Sequence, residues 1–263
     1  MKKFIRVLLI LLCCCFTVLF AYSSYRLYNI VREYKFAEKK YTQLSSQYVS
    51  SPSDPSSPAE ASASGEQSTA ALAERSPIAV NFSLLQEQNS DVVAWLYSPG
   101  TPINYPIVHG SDNDHYLNYF IDGSYTGSGT PFIDFLCAGD FTNQNTVIYG
   151  HHMQDGSMFA SLSKYRNASY YEEHPYMYLN TPTQNYKIEI FAGYLTEADS
   201  DSYFFDFSEE SDYLAFLQRM QANSNFPSSV ELGPDDRIVT LSTCSYEYFD
   251  ARYVVQGKLV PIR

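Results

Sequence analysis

Hydrophobic and polar positions divide the chain into four stretches. From Val7 to Tyr25, 19 consecutive residues carry no charge. At about 1.5 Å per residue a helix of that length covers roughly 28 Å, close to the hydrocarbon thickness of a bilayer. Residues 1–26 therefore read as a short cytoplasmic head and a transmembrane helix. A secretory signal peptide competes, since Lys2, Lys3 and Arg6 form a basic start, but the apolar run is long for one and Phe20-Ala21-Tyr22 is a poor cleavage site. An uncleaved signal-anchor is favoured. Over 27–48, Leu27, Ile30, Val31, Tyr34, Ala37, Tyr41 and Leu44 recur at helical spacing among mixed charges, the pattern of a juxtamembrane helix or stalk. Residues 49–77 are dominated by Ser, Ala and Pro with almost no large apolar side chain, so burial cannot offset ordering entropy and a flexible linker is expected.

The remaining stretch, 78–263, is large enough for one core. Its apolar runs are short and β-rich, at 92–97, 105–108, 131–135, 146–149, 176–179, 186–194, 237–243 and 253–260. Turn residues separate them, among them Pro99-Gly100, Asp122-Gly123, Gly127-Ser128-Gly129 and Gly233-Pro234. Eight short strands punctuated in this way predict a mostly β fold, a largely antiparallel barrel or sandwich. Helices are expected over 82–88, 157–165 and 208–222. In the last, Ser208 is read as the N-cap, and Tyr213, Leu214, Phe216, Leu217 and Met220 share one face.

Charge narrows the choice of partner. Residues 27–263 hold 13 Lys and Arg against 29 Asp and Glu, a net charge of −16. Such a surface excludes nucleic acid as a partner and does not seek anionic lipid. Arg26, Arg32, Lys35, Lys39 and Lys40 follow the apolar run and outnumber the basic residues before it, against a strict positive-inside count. The acidic, Tyr- and Ser-rich remainder reads instead as a secreted domain, which puts the C-terminal part outside the cell. Cys13, Cys14 and Cys15 fall in the apolar run, leaving Cys137 and Cys244, too few for a disulfide framework. A bridge between those two is open, and it would remove any nucleophile.

Candidate chemistry gathers at two places. Thr240-Leu241-Ser242-Thr243-Cys244 ends a β-type run on a cysteine among polar neighbours, and eight residues later Arg252 opens another. A hairpin joining them would set a thiol beside a guanidinium, a nucleophile next to an anion stabiliser. Earlier, Val147-Ile148-Tyr149 stops at Gly150 and presents His151 and His152, either of which could serve as proton partner. Cys137, within Phe135-Leu136-Cys137-Ala138, reads as a buried hydrophobe, and His109, His115 and His174 read as structural. Zinc held by His151, His152 and Cys244 is a weak alternative, because adjacent histidines diverge on a strand and no second cysteine stands at ligand spacing.

Together these residues resemble the sortases, in which a T-L-x-T-C strand end, an arginine on the following strand and a Gly-His after an earlier strand form the active site. Asp91-Val92-Val93-Ala94-Trp95-Leu96, the Pro99 to Val108 segment, Tyr149-Gly150-His151-His152-Met153 and the long helix before the cysteine strand are similar to class B. The resemblance covers 78–263 and implies an eight-stranded sortase-type β-barrel with a few peripheral helices. It implies Cys244, His151 (rather than His152) and Arg252 as catalytic residues, with Asn113, Leu117, Tyr149, Ser242 and Thr243 lining a sorting-signal groove. The implied reaction cleaves an NPQTN or P-x-T-G signal of secreted proteins after Thr through a thioacyl-enzyme. The acyl group is then joined to an amine of peptidoglycan precursor (lipid II) at the outer face of a Gram-positive membrane, without cofactor or metal. A tethered cysteine peptidase or amidase transferring to water, and a non-catalytic surface binding module, are the alternatives.

Overall fold

The computed structural model describes residues 2–51, 74–245, 247 and 250–262. Residues 52–73, most of the expected linker, lie outside them. The chain divides into two compact units, 1–40 and 41–263. In the first, a helix, α1 (Lys2–Tyr48), begins. Its apolar side chains, such as Leu8, Ile10 and Val18, are exposed within this unit. By length and composition it is a candidate membrane span.

The second unit begins ahead of the boundary expected at 78. The last turns of α1 carry Tyr41, Leu44 and Tyr48 into the hydrophobic core, although the sequence pattern there suggests a stalk. The Tyr41 ring meets Tyr105 and Phe120 at centroid distances of 4.7 and 4.6 Å, and its hydroxyl donates to the Gly129 carbonyl. The chain then forms β1 (Val49–Ser50), which pairs with β2 (Ala79–Val80), and α2 (Phe82–Gln88), whose first turn is capped by the Asn81 side chain accepting from Leu84 N–H.

Eight strands follow: β3 (Val92–Tyr97), β4 (Asn104–Val108), β5 (Phe132–Ile133), β6 (Asn145–Tyr149), β7 (Tyr176–Asn180), β8 (Asn185–Glu197), β9 (Ile238–Cys244) and β10 (Ala251–Ile262). Each overlaps one of the eight expected runs. They close into a barrel in the order β10-β8-β7-β3-β4-β5-β6-β9, so the barrel itself has no edge strand. Two pairings, β4 with β5 and β6 with β9, are parallel. Trp95, Leu96, Ile107, Ile148, Leu179, Ile190, Leu241 and Val255 are among the side chains of the main core, all almost wholly buried.

Helices flank the barrel. Residues 157–165, expected as one helix, instead form a 3₁₀ segment from Ala160 to Arg166, followed by α3 (Ala168–Glu173). The expected 208–222 helix is α4 (Glu210–Ala222), and Glu209 rather than Ser208 stands at its cap with extended backbone and no side-chain cap bond. Tyr213, Phe216, Leu217 and Met220 of α4 pack on Phe191, Ile238 and Val254, forming a second core outside the barrel. Each such side chain contributes roughly 1.5–3 kcal/mol by burial. Phe216→Ala is expected to destabilise the second unit by about 3–5 kcal/mol, measured by denaturant unfolding.

Candidate active site

Strand direction gathers the chemistry at one rim. In the parallel β6–β9 ladder Thr146 lies beside Val239 and Tyr149 beside Ser242, so the C-terminal ends of both strands leave the barrel on the same side. Gly150 N–H extends the ladder by one bond, donating to Ser242 O at 3.0 Å. Just beyond that last bond come His151, two residues past the end of β6, and Cys244, the last residue of β9. β10 then returns antiparallel to β9 with Arg252 directly opposite Cys244. Directly opposed residues share a sheet face with Cβ atoms about 4.5–5.5 Å apart, so the hairpin sets the guanidinium beside the thiol.

The described residues between Cys244 and Arg252 are held from several sides. Ser245 N–H donates to Ala251 O at 2.8 Å, and Asp250 takes a left-handed conformation with φ 58°. The Arg166 guanidinium lies over the Tyr253 ring, donates to Ser245 Oγ at 3.0 Å and pairs with Glu247. Arg166 and Ser245 beside Glu247 hold its carboxyl down at about 2. The Arg252 guanidinium itself is lightly held, donating to Ala251 O at 3.1 Å and standing 3.9 Å from Asp250. It keeps donors for an anion.

The two histidines part company. His151 lines the same cavity as Cys244, and its Nε2 lies 2.7 Å from Leu117 O. A carbonyl only accepts, so Nε2 carries a proton and Nδ1 is the ring nitrogen left for exchange. His152 lines a separate cleft and its Nδ1 lies 3.0 Å from Cys244 O, which fastens the backbone at the cysteine. Gly150 makes this possible, because a Cβ there would meet the Phe159 ring at 2.6 Å. Phe159 N–H in turn donates to His151 O at 2.9 Å.

One cavity of about 250 Å³ is lined by Asn113, Leu117, Tyr149, His151, Ser242, Thr243, Cys244 and Arg252, all eight residues singled out from the sequence. Phe132, Gly150, Ala198 and Tyr203 complete its wall. Tyr203 comes from a 3₁₀ turn at Asp201–Tyr203 after β8, and its hydroxyl lies 2.9 Å from Ser242 Oγ. Nothing in the local sequence marks it, because its place is set by tertiary folding. Burial first, then the Asp134 carboxylate, push the Tyr149 phenol well above its ordinary value. Cys137 and Cys244 are both free thiols, so the open bridge is not formed. Cys137 is buried, and burial raises its thiol to about 11, an inert form. Among the described residues no three His, Cys, Asp or Glu side chains cluster as metal ligands.

The sequence and the fold match known proteins. Residues 96–260 match the sortase domain model. The chain belongs to the sortase family. It is 41% identical over 178 residues to sortase B of Listeria monocytogenes, covering 67% of this chain and 72% of that protein. It is 34% identical over 183 residues to sortase B of Staphylococcus aureus, covering 69% and 75%. The solved Staphylococcus aureus sortase B–substrate complex superposes with a TM-score of 0.65 at 34% identity, over 68% of this chain and 84% of that one. The barrel is thus that of a class B sortase, a cysteine transpeptidase.

Gly150→Ala is expected to push Phe159 or His151 from its place. Overpacking of this kind costs about 1–3 kcal/mol, to be read as a lowered melting temperature together with roughly tenfold slower turnover of a sorting peptide.

Proposed function

We propose that Cys244, His151 and Arg252 carry the transpeptidation, and that the observation supporting it best is their meeting at one rim and one cavity. The Cys244 thiolate attacks the Thr carbonyl of an NPQTN or P-x-T-G sorting signal. The Arg252 guanidinium donates to the oxyanion of the tetrahedral intermediate, a role suited to a planar, permanently charged group. His151, charged and held through Nε2–H by Leu117 O, gives its Nδ1 proton to the departing amine. The thioacyl-enzyme remains. An amine of lipid II then attacks the thioester, His151 takes a proton from it, and the thiolate leaves. Asn113, Leu117, Tyr149, Ser242 and Thr243 bind the signal along the cavity wall.

α1 supplies the tether. In this reading it crosses the membrane once and keeps the catalytic barrel on the outer face, where secreted clients and lipid-linked wall precursor meet. The acidic domain has no electrostatic reason to lie on anionic lipid, so the anchor does the localising. The head of residues 1–6 stays in the cytoplasm.

Cys244→Ala and His151→Ala are expected to abolish cleavage of a fluorogenic sorting peptide. Arg252→Ala is expected to slow it by about 10²–10³, the usual effect of losing an oxyanion donor, and Arg252→Lys to restore little. Turnover like wild type in any of the three would sink the assignment. Adding an amine such as triglycine or a diaminopimelate peptide is expected to divert the acyl group from water into a ligated product, seen by mass spectrometry. Hydrolysis unaffected by amine would favour a peptidase.

A further inference from the structure

Behind the cavity wall, Asp134 stands just past β5 with both carboxylate oxygens in use. Oδ2 accepts from the Tyr149 hydroxyl at 2.9 Å and from Asn113 Nδ2 at 3.2 Å, while Oδ1 accepts from Leu136 N–H at 3.0 Å. The backbone is pinned as well: Asp134 N–H donates to Val147 O of β6 at 3.0 Å, and its carbonyl accepts from Cys137 N–H at 2.9 Å. Asp134 is not part of the cavity lining, whereas Asn113 and Tyr149 are.

These bonds restrict how the two wall residues face a ligand. Phe135 N–H donates to the Asn113 side chain at 3.0 Å, so the atom it meets is oxygen; the carboxylate meets the other end, which is therefore nitrogen. The amide cannot flip without setting donor on donor and acceptor on acceptor. Its carbonyl and one N–H are engaged, leaving the second N–H as its remaining donor. Tyr149 donates its only proton to Asp134, so what it has left is an oxygen lone pair. The raised phenol keeps that proton in place across the working pH range.

We propose that Asp134 is a positioning residue that sets the hydrogen-bond polarity of the groove, presenting Asn113 as a donor and Tyr149 as an acceptor to the amide groups of a bound peptide. This rests on the reading of the cavity as the sorting-signal groove. An extended peptide offers carbonyl acceptors and N–H donors, the complement of that pair. Removing one oriented hydrogen bond between wall and peptide weakens binding by about tenfold.

The polarity can be inverted without emptying the site. In Asp134→Asn alone, one side-chain oxygen must serve Leu136 N–H or the two wall donors, but not both sets. Adding Asn113→Asp resolves the conflict. The amide now at position 134 can accept from Leu136 N–H and donate to the carboxylate now at position 113, which still accepts from Phe135 N–H. With the Tyr149 oxygen accepting the second N–H of that amide, the wall is satisfied internally. It then offers an acceptor at position 113 and a donor at Tyr149, the reverse of the native pair. On the full chain in detergent, D134N is expected to raise KM for a sorting peptide about tenfold with kcat within about twofold, and to leave iodoacetamide labelling of Cys244 unchanged. The double variant N113D/D134N is expected to recover the wild-type melting temperature while its KM stays raised. An unchanged KM in D134N, or a KM that recovers with melting temperature in the double variant, overturns the proposal and leaves Asp134 a packing residue. Peptide cleavage that persists in Cys244→Ala would instead overturn the reading of the cavity as a catalytic groove.

Discussion

Where β6 and β9 run side by side in parallel, from Asn145 beside Ile238 to Tyr149 beside Ser242, two strands distant in sequence are made to end at the same rim. An antiparallel pairing would have sent the histidine and the cysteine to opposite ends of the barrel. Parallel neighbours need a long crossover, and here it contains β7, β8 and α4. Within it, α4 covers the outer face of the barrel beside Phe191, Ile238 and Val254, through Tyr213, Phe216, Leu217 and Met220. The proposed chemistry is therefore built from the barrel's closure, with the β9–β10 hairpin adding Arg252 opposite the thiol.

A buried polar chain beneath the rim locks the same strands together. Asn145 of β6 accepts from Thr240 of β9 at 2.8 Å, and Thr240 accepts from Gln256 of β10 at 2.9 Å. The Asn145 amide also donates to Ser202 O and Phe204 O, tying down the turn that carries Tyr203 into the cavity wall. All three side chains are fully buried, and satisfied networks of this kind fix one arrangement where an apolar core would tolerate several. Register in the strands, and with it the facing of Ser242 and Cys244, is held from inside.

Much of this was legible in the residues. All eight strands overlap the β-rich runs that announced them, and the strand ends that carry His151 and Cys244 are marked locally by Gly150 and by the polar Ser242 and Thr243 after Leu241. Asn113, Leu117, Tyr149, Ser242 and Thr243 as groove residues came instead from the resemblance to sortases; all eight candidate site residues line one cavity. What was not legible depended on partners far along the chain. Tyr41 looks like a stalk residue until Tyr105 and Phe120 are there to receive it. The cap of α4 stands at Glu209 with no side-chain cap bond, one residue past Ser208 and within the one- or two-residue latitude of helix ends. Neither the parallel pairing nor Asp134 behind Asn113 and Tyr149 has a short-range signature.

The most direct test of the central claim is intact-protein and peptide-level mass spectrometry of the full chain quenched with acid during turnover of a sorting peptide. The expected result is a covalent adduct on Cys244 with the mass of the acyl peptide up to and including Thr, less the thiol hydrogen it replaces. The adduct should disappear on addition of an acceptor amine and be absent in Cys244→Ala. Turnover with no adduct at Cys244 under those conditions, or an adduct on another residue, would contradict the account.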